Sequence, residues 1–158
     1  TVVFVMRDKD LVFKADDDAL VVILSEVVKI LLSYRQLVDS NPESAGVIIG
    51  ERRGVHLVVR MVSVPNFTDI RSRFSVNRIG KHHQEKVDTA FRESNGTWQY
   101  LGEWHTHPED IPSPSMVDYN SWKKYLCSPD PLILIIVGRS KWWVGKKINQ
   151  EIKVLEQI

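Results

Sequence analysis

Two histidines separated by one residue lie at the end of a predicted strand, and a proline follows them directly. The strand covers residues 97–107, and Pro108 ends it because proline has no backbone N–H to add to a sheet. Side chains two positions apart on a strand share one face, with Cα atoms about 6.6 Å apart. The imidazoles of His105 and His107 can therefore bind one metal ion.

A carboxylate follows at a distance that a loop and one helical turn can span. Ten residues separate His107 from Asp118, and a proline-rich loop leads into a helix predicted over residues 115–127. His105, His107 and Asp118 would supply three ligands and leave a fourth tetrahedral position for water, which is typical of catalytic rather than structural zinc sites. Ser115 and Asp118 also have the spacing of a helix capping box, so the sequence alone leaves a structural role for Ser115 open.

A metal site with an open position needs a proton acceptor, and Glu43 is the acid that we assign to this role. It precedes a short apolar strand, residues 46–50, whose two glycines let a neighbouring backbone approach closely. Taken alone, a glutamate after Asn41 and Pro42 is typical of a solvated loop. The assignment of Glu43 therefore depends on the histidines and the aspartate downstream.

The rest of the chain alternates between helical and strand periodicity. A long helix is predicted over residues 19–38 and a second over residues 79–91, and residues 150–158 are either a strand or a short helix. Further strands are predicted as a hairpin over residues 2–13 and as single segments over residues 55–64, 132–137 and 141–148. This alternation predicts an α/β fold in which a mixed sheet is sandwiched between helices.

Composition limits the environment in which such a chain works. At 158 residues we expect one domain over residues 1–158, and apolar runs of no more than six residues are too short to cross a membrane. A single cysteine, Cys127, cannot form an internal disulfide, which indicates a reducing cytoplasm. The net charge of +1 argues against a general attraction to nucleic acid or to anionic membranes.

Taken together, the motifs resemble those of the JAMM (JAB/MPN) zinc metallopeptidases. Glu43 begins an ExxGxxxG pattern, and the chain continues with HxH, seven residues, serine, two residues and aspartate. The string YLGEWHTHPEDIPSPSMVD is most similar to the JAB-domain deconjugating peptidases of bacterial CBASS anti-phage operons, which are encoded beside a ubiquitin-activating-type enzyme. The resemblance covers residues 43–122 and implies a JAMM/MPN fold with a layer architecture like that of cytidine deaminases.

The resemblance implies a role for each motif residue. It implies one Zn²⁺ per chain, bound by His105, His107 and Asp118, which lowers the pKa of its water toward about 7. Glu43 would accept the proton of that water and later pass it to the leaving amine. Ser115 would donate a hydrogen bond to the oxyanion that forms on the scissile carbonyl.

The resemblance also implies a substrate. Peptidases of this branch hydrolyse the bond after the C-terminus of a conjugated protein modifier, and the modifier would be a cGAS-like nucleotidyltransferase attached through its C-terminal tail. The basic stretch over residues 67–81 corresponds in position to an insertion beside the family's substrate groove. We expect Arg71, Arg73 and Phe74 to contact the tail there, by backbone pairing and by arginine–carboxylate pairs. A solvated irregular loop is the alternative.

Three other functions share part of this pattern. A general ubiquitin-like-modifier deconjugase or processing peptidase fits the same residues, and the sequence does not separate it from a CBASS enzyme. A non-catalytic JAMM-fold binding scaffold usually lacks part of the ligand set, which is complete here. A nucleobase deaminase needs a Pro-Cys-x-x-Cys pair, which a chain with one cysteine does not have.

Three neighbours of the motifs have simple structural interpretations. Glu103 shares a strand face with the two histidines, and it either orients one of them or is a surface acid. His83 falls on the apolar stripe of the second predicted helix and is predicted to be a packed core histidine. Trp122 lies one helical turn after Asp118 and is predicted to pack beside the metal site.

Overall fold

A computed structural model describes residues 9–158, and most of its strands join in one mixed sheet. Within this part of the chain the sheet has nine strands: β1 (Leu11–Lys14), β2 (Leu20–Ile23), β3 (Ala45–Arg53), β4 (His56–Val62), β7 (Trp98–Thr106), β8 (Leu132–Val137), β9 (Trp142–Ile148), β10 (Glu151–Val154) and β11 (Glu156–Gln157). A separate two-stranded hairpin consists of β5 (Ile70–Ser72) and β6 (Ser75–Asn77).

The strand order places the predicted metal-binding strand in the middle of the sheet. The order is β10-β9-β8-β7-β3-β4-β2-β1-β11. The pairs β2–β4 and β7–β8 are parallel, whereas the other neighbours are antiparallel. A central strand is held by hydrogen bonds on both sides, so the end of β7 is a rigid support for side chains.

Helices cover both faces of the sheet, which confirms the predicted α/β class. The helix α1 (Ser25–Ser33) packs in the main core with inward residues such as Ile48 and Ile135, while α2 (His82–Glu93) and α3 (Met116–Tyr125) pack over the opposite face. The two faces are distinguished by strand alternation: Val47 and Ile49 contact α2, whereas Ile48 between them faces α1. No helix in the described part of the chain is long and apolar enough to cross a membrane.

The prediction of one helix over residues 19–38 was wrong at both ends. Residues Leu20–Ile23 form β2, which runs parallel to β4, and α1 begins only at Ser25 and ends at Ser33. Valine and isoleucine at positions 21–23 favour a strand. In a short continuous apolar run, however, hydrophobic periodicity alone does not separate a buried strand from a buried helix. Asp18 has φ of +61° and lies in the connection between β1 and β2.

The predicted N-terminal hairpin, the C-terminal tail and the basic stretch all contain strands in the structure. The second strand of the predicted N-terminal hairpin is β1, while its first strand lies outside the described residues. The tail over residues 150–158 forms the short strands β10 and β11 rather than a helix. The basic stretch over residues 67–81 contains the β5–β6 hairpin.

Candidate active site

The two histidines meet where β7 ends. His105 pairs with Ala45 of β3 and Ile136 of β8, so its position is fixed from both sides. His107 lies just past the strand, but its N–H still donates to the carbonyl of Val137 at 3.1 Å. The Nε2 atoms of His105 and His107 are 3.1 Å apart, as the i and i+2 spacing predicts.

Asp118 approaches the same point from the first turn of α3. Its Oδ1 lies 3.3 Å from Nε2 of His105, and its Oδ2 lies 3.2 Å from Nε2 of His107. The predicted capping box is confirmed: the N–H of Asp118 donates to Oγ of Ser115 at 3.0 Å, and the N–H of Ser115 donates to Oδ2 of Asp118 at 2.8 Å. The helix start therefore fixes the carboxylate that faces the histidines.

The spacing of these donor atoms fits a tetrahedral cation site. Ligand atoms about 2.0–2.1 Å from a tetrahedral zinc lie about 3.3 Å from one another. Nε2 of His105 and Nε2 of His107 are 3.1 Å apart, and each faces a different oxygen of the Asp118 carboxylate, at 3.3 Å (Oδ1) and 3.2 Å (Oδ2). Two imidazole nitrogens and a carboxylate are also the donor types that zinc prefers. The residues present thus fit the metal ion that the family implies.

Glu43 lies beside the histidines because its strand is next to theirs. It immediately precedes β3 and is buried, and a carboxylate oxygen lies within 4.8 Å of ligand nitrogens of both His105 and His107. The N–H of Glu43 donates to the carbonyl of Ser72 at 2.6 Å. Sequence reasoning places Glu43 as the base rather than as a ligand; its distance from the cluster suits either role, and its role as base stays a prediction.

The two glycines after Glu43 are needed for close approach of strands β3 and β4. A Cβ added at Gly46 would lie 2.0 Å from the Ser63 carbonyl oxygen, and one at Gly50 would lie 1.9 Å from the Val58 carbonyl oxygen. These separations are far below van der Waals contact, so only glycine fits without displacing β4 or the chain after it. The interpretation of the ExxGxxxG pattern as a backbone-packing signal is confirmed.

Burial and neighbouring charges shift the protonation of this cluster. Burial raises the pKa of Glu43 to about 7, while His107 opposes this shift and Asp118 reinforces it. Burial alone would raise the pKa of Asp118, but hydrogen bonds from His105 and His107 outweigh it and hold that pKa well below its usual range. Burial would lower the pKa of His107, yet hydrogen bonds to Asp118 and Glu109 raise it. A carboxyl group with a pKa near neutrality can both accept and return a proton.

Glu109 is a member of the site that sequence reasoning missed. Its Oε1 lies 2.8 Å from Nδ1 of His107, on the side of the ring away from Asp118. Such a contact fixes the orientation and tautomer of a metal-binding imidazole. Its position two residues after His107, just past the proline, is the signal that could have found it. Glu103, for which this orienting role was considered, instead pairs with Arg78.

The cluster opens into a cleft of about 1070 Å³. Besides the five motif residues, its lining includes Phe74, Arg78, Glu103 and Val117. Trp122 is buried beneath it, with its ring centroid 6.0 Å from that of His105, which confirms the predicted packing. This volume is at the upper end of the roughly 300–1,000 Å³ typical of small-ligand pockets.

The three residues predicted to contact substrate are placed differently from one another. Phe74 is exposed and lines the cleft. Arg71 donates to the Glu43 carbonyl and to Oγ of Ser44. Arg73 forms an ion pair with Asp39 at 3.0 Å and lies over the Phe74 ring. Both guanidinium groups are thus engaged with the protein, and their contact with substrate stays a prediction.

A second histidine cluster consists of His82 and His83 in α2 and Asp69 just before β5. His83 is buried, with Nδ1 2.6 Å from Oγ of Ser63 and Nε2 3.0 Å from Oδ2 of Asp69. Asp69 also accepts the N–H groups of Gly80 and Asn66. Both ring nitrogens of His83 are therefore used, which confirms the prediction of a packed core histidine.

The sequence model of a protein family described as prokaryotic homologues of the JAB domain matches residues 26–148. The chain therefore belongs to the prokaryotic JAB-domain family, and the predicted resemblance is confirmed. The solution structure of protein DSY2949 from Desulfitobacterium hafniense covers 84% of this chain and 87% of its own, with a TM-score of 0.60. At 20% sequence identity this likeness shows the fold alone.

Two curated relatives match along almost their whole length. A protein from Vibrio cholerae serotype O1 is 55% identical over 97% of this chain and 98% of its own. A protein from Escherichia coli strain TW11681 is 51% identical over 96% of this chain and 97% of its own. Both are named CD-NTase/cGAS isopeptidase.

Proposed function

We propose that this chain is a zinc-dependent isopeptidase that removes a conjugated protein modifier by hydrolysing the bond after the modifier's C-terminus. The observation that carries the proposal is the convergence of two imidazoles and one carboxylate: Nε2 of His105 and of His107 are 3.1 Å apart, and each lies within 3.3 Å of an oxygen of Asp118, beside the buried carboxylate of Glu43. Three ligands with a proton acceptor next to them are what metal-assisted hydrolysis requires. Membership of the JAB-domain family supports the same reaction class.

The proposed mechanism divides the reaction among the residues of the cluster. His105, His107 and Asp118 would hold Zn²⁺, which supplies Lewis-acid activation of water and of the scissile carbonyl when bound. Glu43 accepts a proton from the attacking water as the new C–O bond forms. It returns that proton to the leaving nitrogen as the C–N bond breaks, so the carboxylate is regenerated.

Ser115 would stabilise the negative charge that develops on the carbonyl oxygen. Its Oγ already accepts the N–H of Asp118, so the hydroxyl proton remains to be donated toward the cleft. A donor fixed in place before the reaction costs no reorganisation when the charge appears. Glu109 would keep His107 in the orientation that presents Nε2 to the metal.

We propose a cGAS-like nucleotidyltransferase as the modifier, in anti-phage defence. This rests on the two relatives named CD-NTase/cGAS isopeptidase, which are 55% and 51% identical over 97% and 96% of this chain. The β5–β6 hairpin would hold the extended C-terminal tail of the modifier, since β6 and Phe74 border the cleft. Phe74 would contact the tail directly. Arg71 already contacts Glu43 and Ser44, and Arg73 pairs with Asp39, so in place of the predicted contacts with the tail we propose that both arginines hold the hairpin in position.

The test uses a nucleotidyltransferase of this kind with a reporter protein fused to its C-terminal tail. Mass spectrometry should find one new C-terminus, at the last residue of the nucleotidyltransferase. A chelator should stop cleavage, and added Zn²⁺ should restore it. Glu43→Gln should abolish cleavage, while Glu26→Gln, an exposed acid at the start of α1, should leave it unchanged.

Two results would contradict the proposal. Cleavage by Glu43→Gln at the wild-type rate would remove the assigned base, and cleavage unaffected by the chelator would remove the metal. An otherwise identical reporter fused to ubiquitin tests the substrate: equal cleavage of both fusions would favour a general modifier deconjugase.

A further inference from the structure

The guanidinium group of Arg71 donates hydrogen bonds to Glu43 and Ser44, the two residues that precede β3. Its Nε donates to the backbone carbonyl of Glu43 at 2.9 Å, and its Nη2 donates to Oγ of Ser44 at 2.6 Å. Ser44 is fully buried. The two donors of one planar group thus fix a peptide unit and the side chain after it, a geometry that a single ammonium group does not reproduce.

The same short segment is tied to the histidine strand. The N–H of Ser44 donates to Oγ1 of Thr106 at 2.9 Å, and the N–H of Thr106 donates back to the carbonyl of Ser44 at 2.9 Å. Thr106 lies between His105 and His107. Ser44 therefore joins the residue that carries the base to the strand end that carries two of the proposed ligands.

Gln36 connects Thr106 to the β5–β6 hairpin. The hydroxyl of Thr106 donates to Oε1 of Gln36 at 2.8 Å, and Nε2 of Gln36 donates to the carbonyl of Arg73 at 2.7 Å. Gln36 is 1% exposed and Thr106 is fully buried. A buried polar network in which each member has a partner holds its members rigidly.

Glu43 itself has little support from regular structure. It follows the loop that contains Asn41 and Pro42, and β3 begins two residues later, at Ala45. Its position is set instead by the hairpin: Ser72 accepts its N–H, and Arg71 donates to its carbonyl. A reacting group displaced by about 1 Å can lose on the order of 100-fold in rate.

We propose that Arg71 is a positioning residue that places the Glu43 carboxylate for proton transfer, an inference that rests on the proposed function of Glu43. Arg71 acts through the Glu43–Ser44 segment, not by pairing with a carboxylate of the substrate. The β5–β6 hairpin, which borders the substrate cleft, would therefore also set the position of the Glu43 carboxylate.

The test is steady-state cleavage of the nucleotidyltransferase–reporter fusion by Arg71→Ala and Arg71→Lys. Arg71→Ala should lower kcat by about 10- to 100-fold and leave KM within about twofold, with unchanged metal content. Arg71→Lys keeps the charge but cannot bond both acceptors, so it should recover only part of kcat. Arg53→Ala, which removes an exposed arginine at the far end of β3, is the matched control and should match the wild type.

The outcomes separate this inference from the proposed function. Cleavage by the wild type together with loss of cleavage in Glu43→Gln upholds the proposed function whatever Arg71 does. A rise in KM with unchanged kcat in Arg71→Ala, or full recovery in Arg71→Lys, would overturn the positioning role and indicate charge recognition of substrate. If Arg71→Ala does not fold, Arg71→Lys and Ser44→Ala carry the test, and normal kcat in both would overturn it.

Discussion

Glu109 holds the ring nitrogen of His107 that faces away from Asp118: the Glu109 Oε1 to His107 Nδ1 distance is 2.8 Å, while Nε2 lies 3.2 Å from Asp118. Because this contact orients the imidazole, we expect Glu109→Ala to weaken metal binding by about 10- to 100-fold. Asp110→Ala is the control, since Asp110 pairs with Arg139 instead. Titration with Zn²⁺ against a competing chelator measures both affinities, and equal affinity in the two variants would contradict the orienting role.

Removal of a ligand and removal of the base should have different effects on metal content. His107→Ala and Asp118→Asn should purify without bound metal, whereas Glu43→Gln should keep about one ion per chain, because it leaves the three predicted ligands in place. Elemental analysis of the purified variants measures this. Loss of metal from Glu43→Gln would instead indicate that Glu43 is a ligand, as its proximity to both histidines allows.

The capping and catalytic roles of Ser115 can be separated by two substitutions. Ser115→Ala removes the N-cap and should lower the free energy of unfolding by about 1 kcal/mol, whereas Ser115→Gly should cost only a few tenths of a kcal/mol. Both remove the hydroxyl, so both should lower kcat, by about 100-fold or more if Ser115 stabilises the oxyanion. Urea unfolding and cleavage kinetics measure the two effects. If kcat falls only in Ser115→Ala, the less stable variant, and stays near the wild-type value in Ser115→Gly, then Ser115 serves only as the helix N-cap.

The buried histidine of α2, His83, should make the free energy of unfolding depend on pH. Burial lowers the pKa of His83 below the usual 6.5, and His82 and Arg78 act in the same direction, while Asp69 opposes them. Just below pH 6.5 the unfolded chain therefore binds a proton that the folded chain does not, so the free energy of unfolding falls as the pH falls through this window.

Urea unfolding at pH 7.5 and pH 5.5 measures this dependence, and the difference between wild type and His83→Asn isolates the contribution of His83. The wild type should lose more stability than the variant on acidification. Nuclear magnetic resonance of the His83 ring is a second measurement. Protonation of that ring at pH 6.5 or above in the folded protein would contradict the prediction.

The local geometry of the candidate site follows from the sequence more directly than the helix and strand boundaries around it. The period of a strand puts His105 and His107 on one face, and the capping-box spacing of Ser115 and Asp118 fixes a helix start at the correct place. Both depend on contacts within a few residues, which a sequence pattern records directly. The distance between Asp118 and the histidines depends on the loop path, for which only an upper limit follows from the number of residues.

Contacts between distant segments account for what the sequence did not reveal. The hydrophobic periodicity of Leu20–Ile23 fits a strand and the first turn of a helix equally, and parallel pairing with β4 decides between them. The donors of Arg71 are likewise used by Glu43 and Ser44, which are close to it only because the β5–β6 hairpin folds back over the start of β3. From the sequence alone a basic stretch suggests charge recognition of the substrate, which stays a prediction, whereas the contacts of Arg71 and Arg73 within the protein are visible only in the folded chain.

The position of Trp122 beside His105 allows ion binding to be followed by tryptophan fluorescence. Its ring stacks on that of Trp143, with centroids 5.6 Å apart, and lies 6.0 Å from the imidazole of His105. Indole fluorescence responds to the charge state of a neighbouring imidazole, so ion binding at His105 should change the emission of this pair. The emission difference between wild type and Trp122→Phe then gives an unlabelled, real-time optical signal of site occupancy.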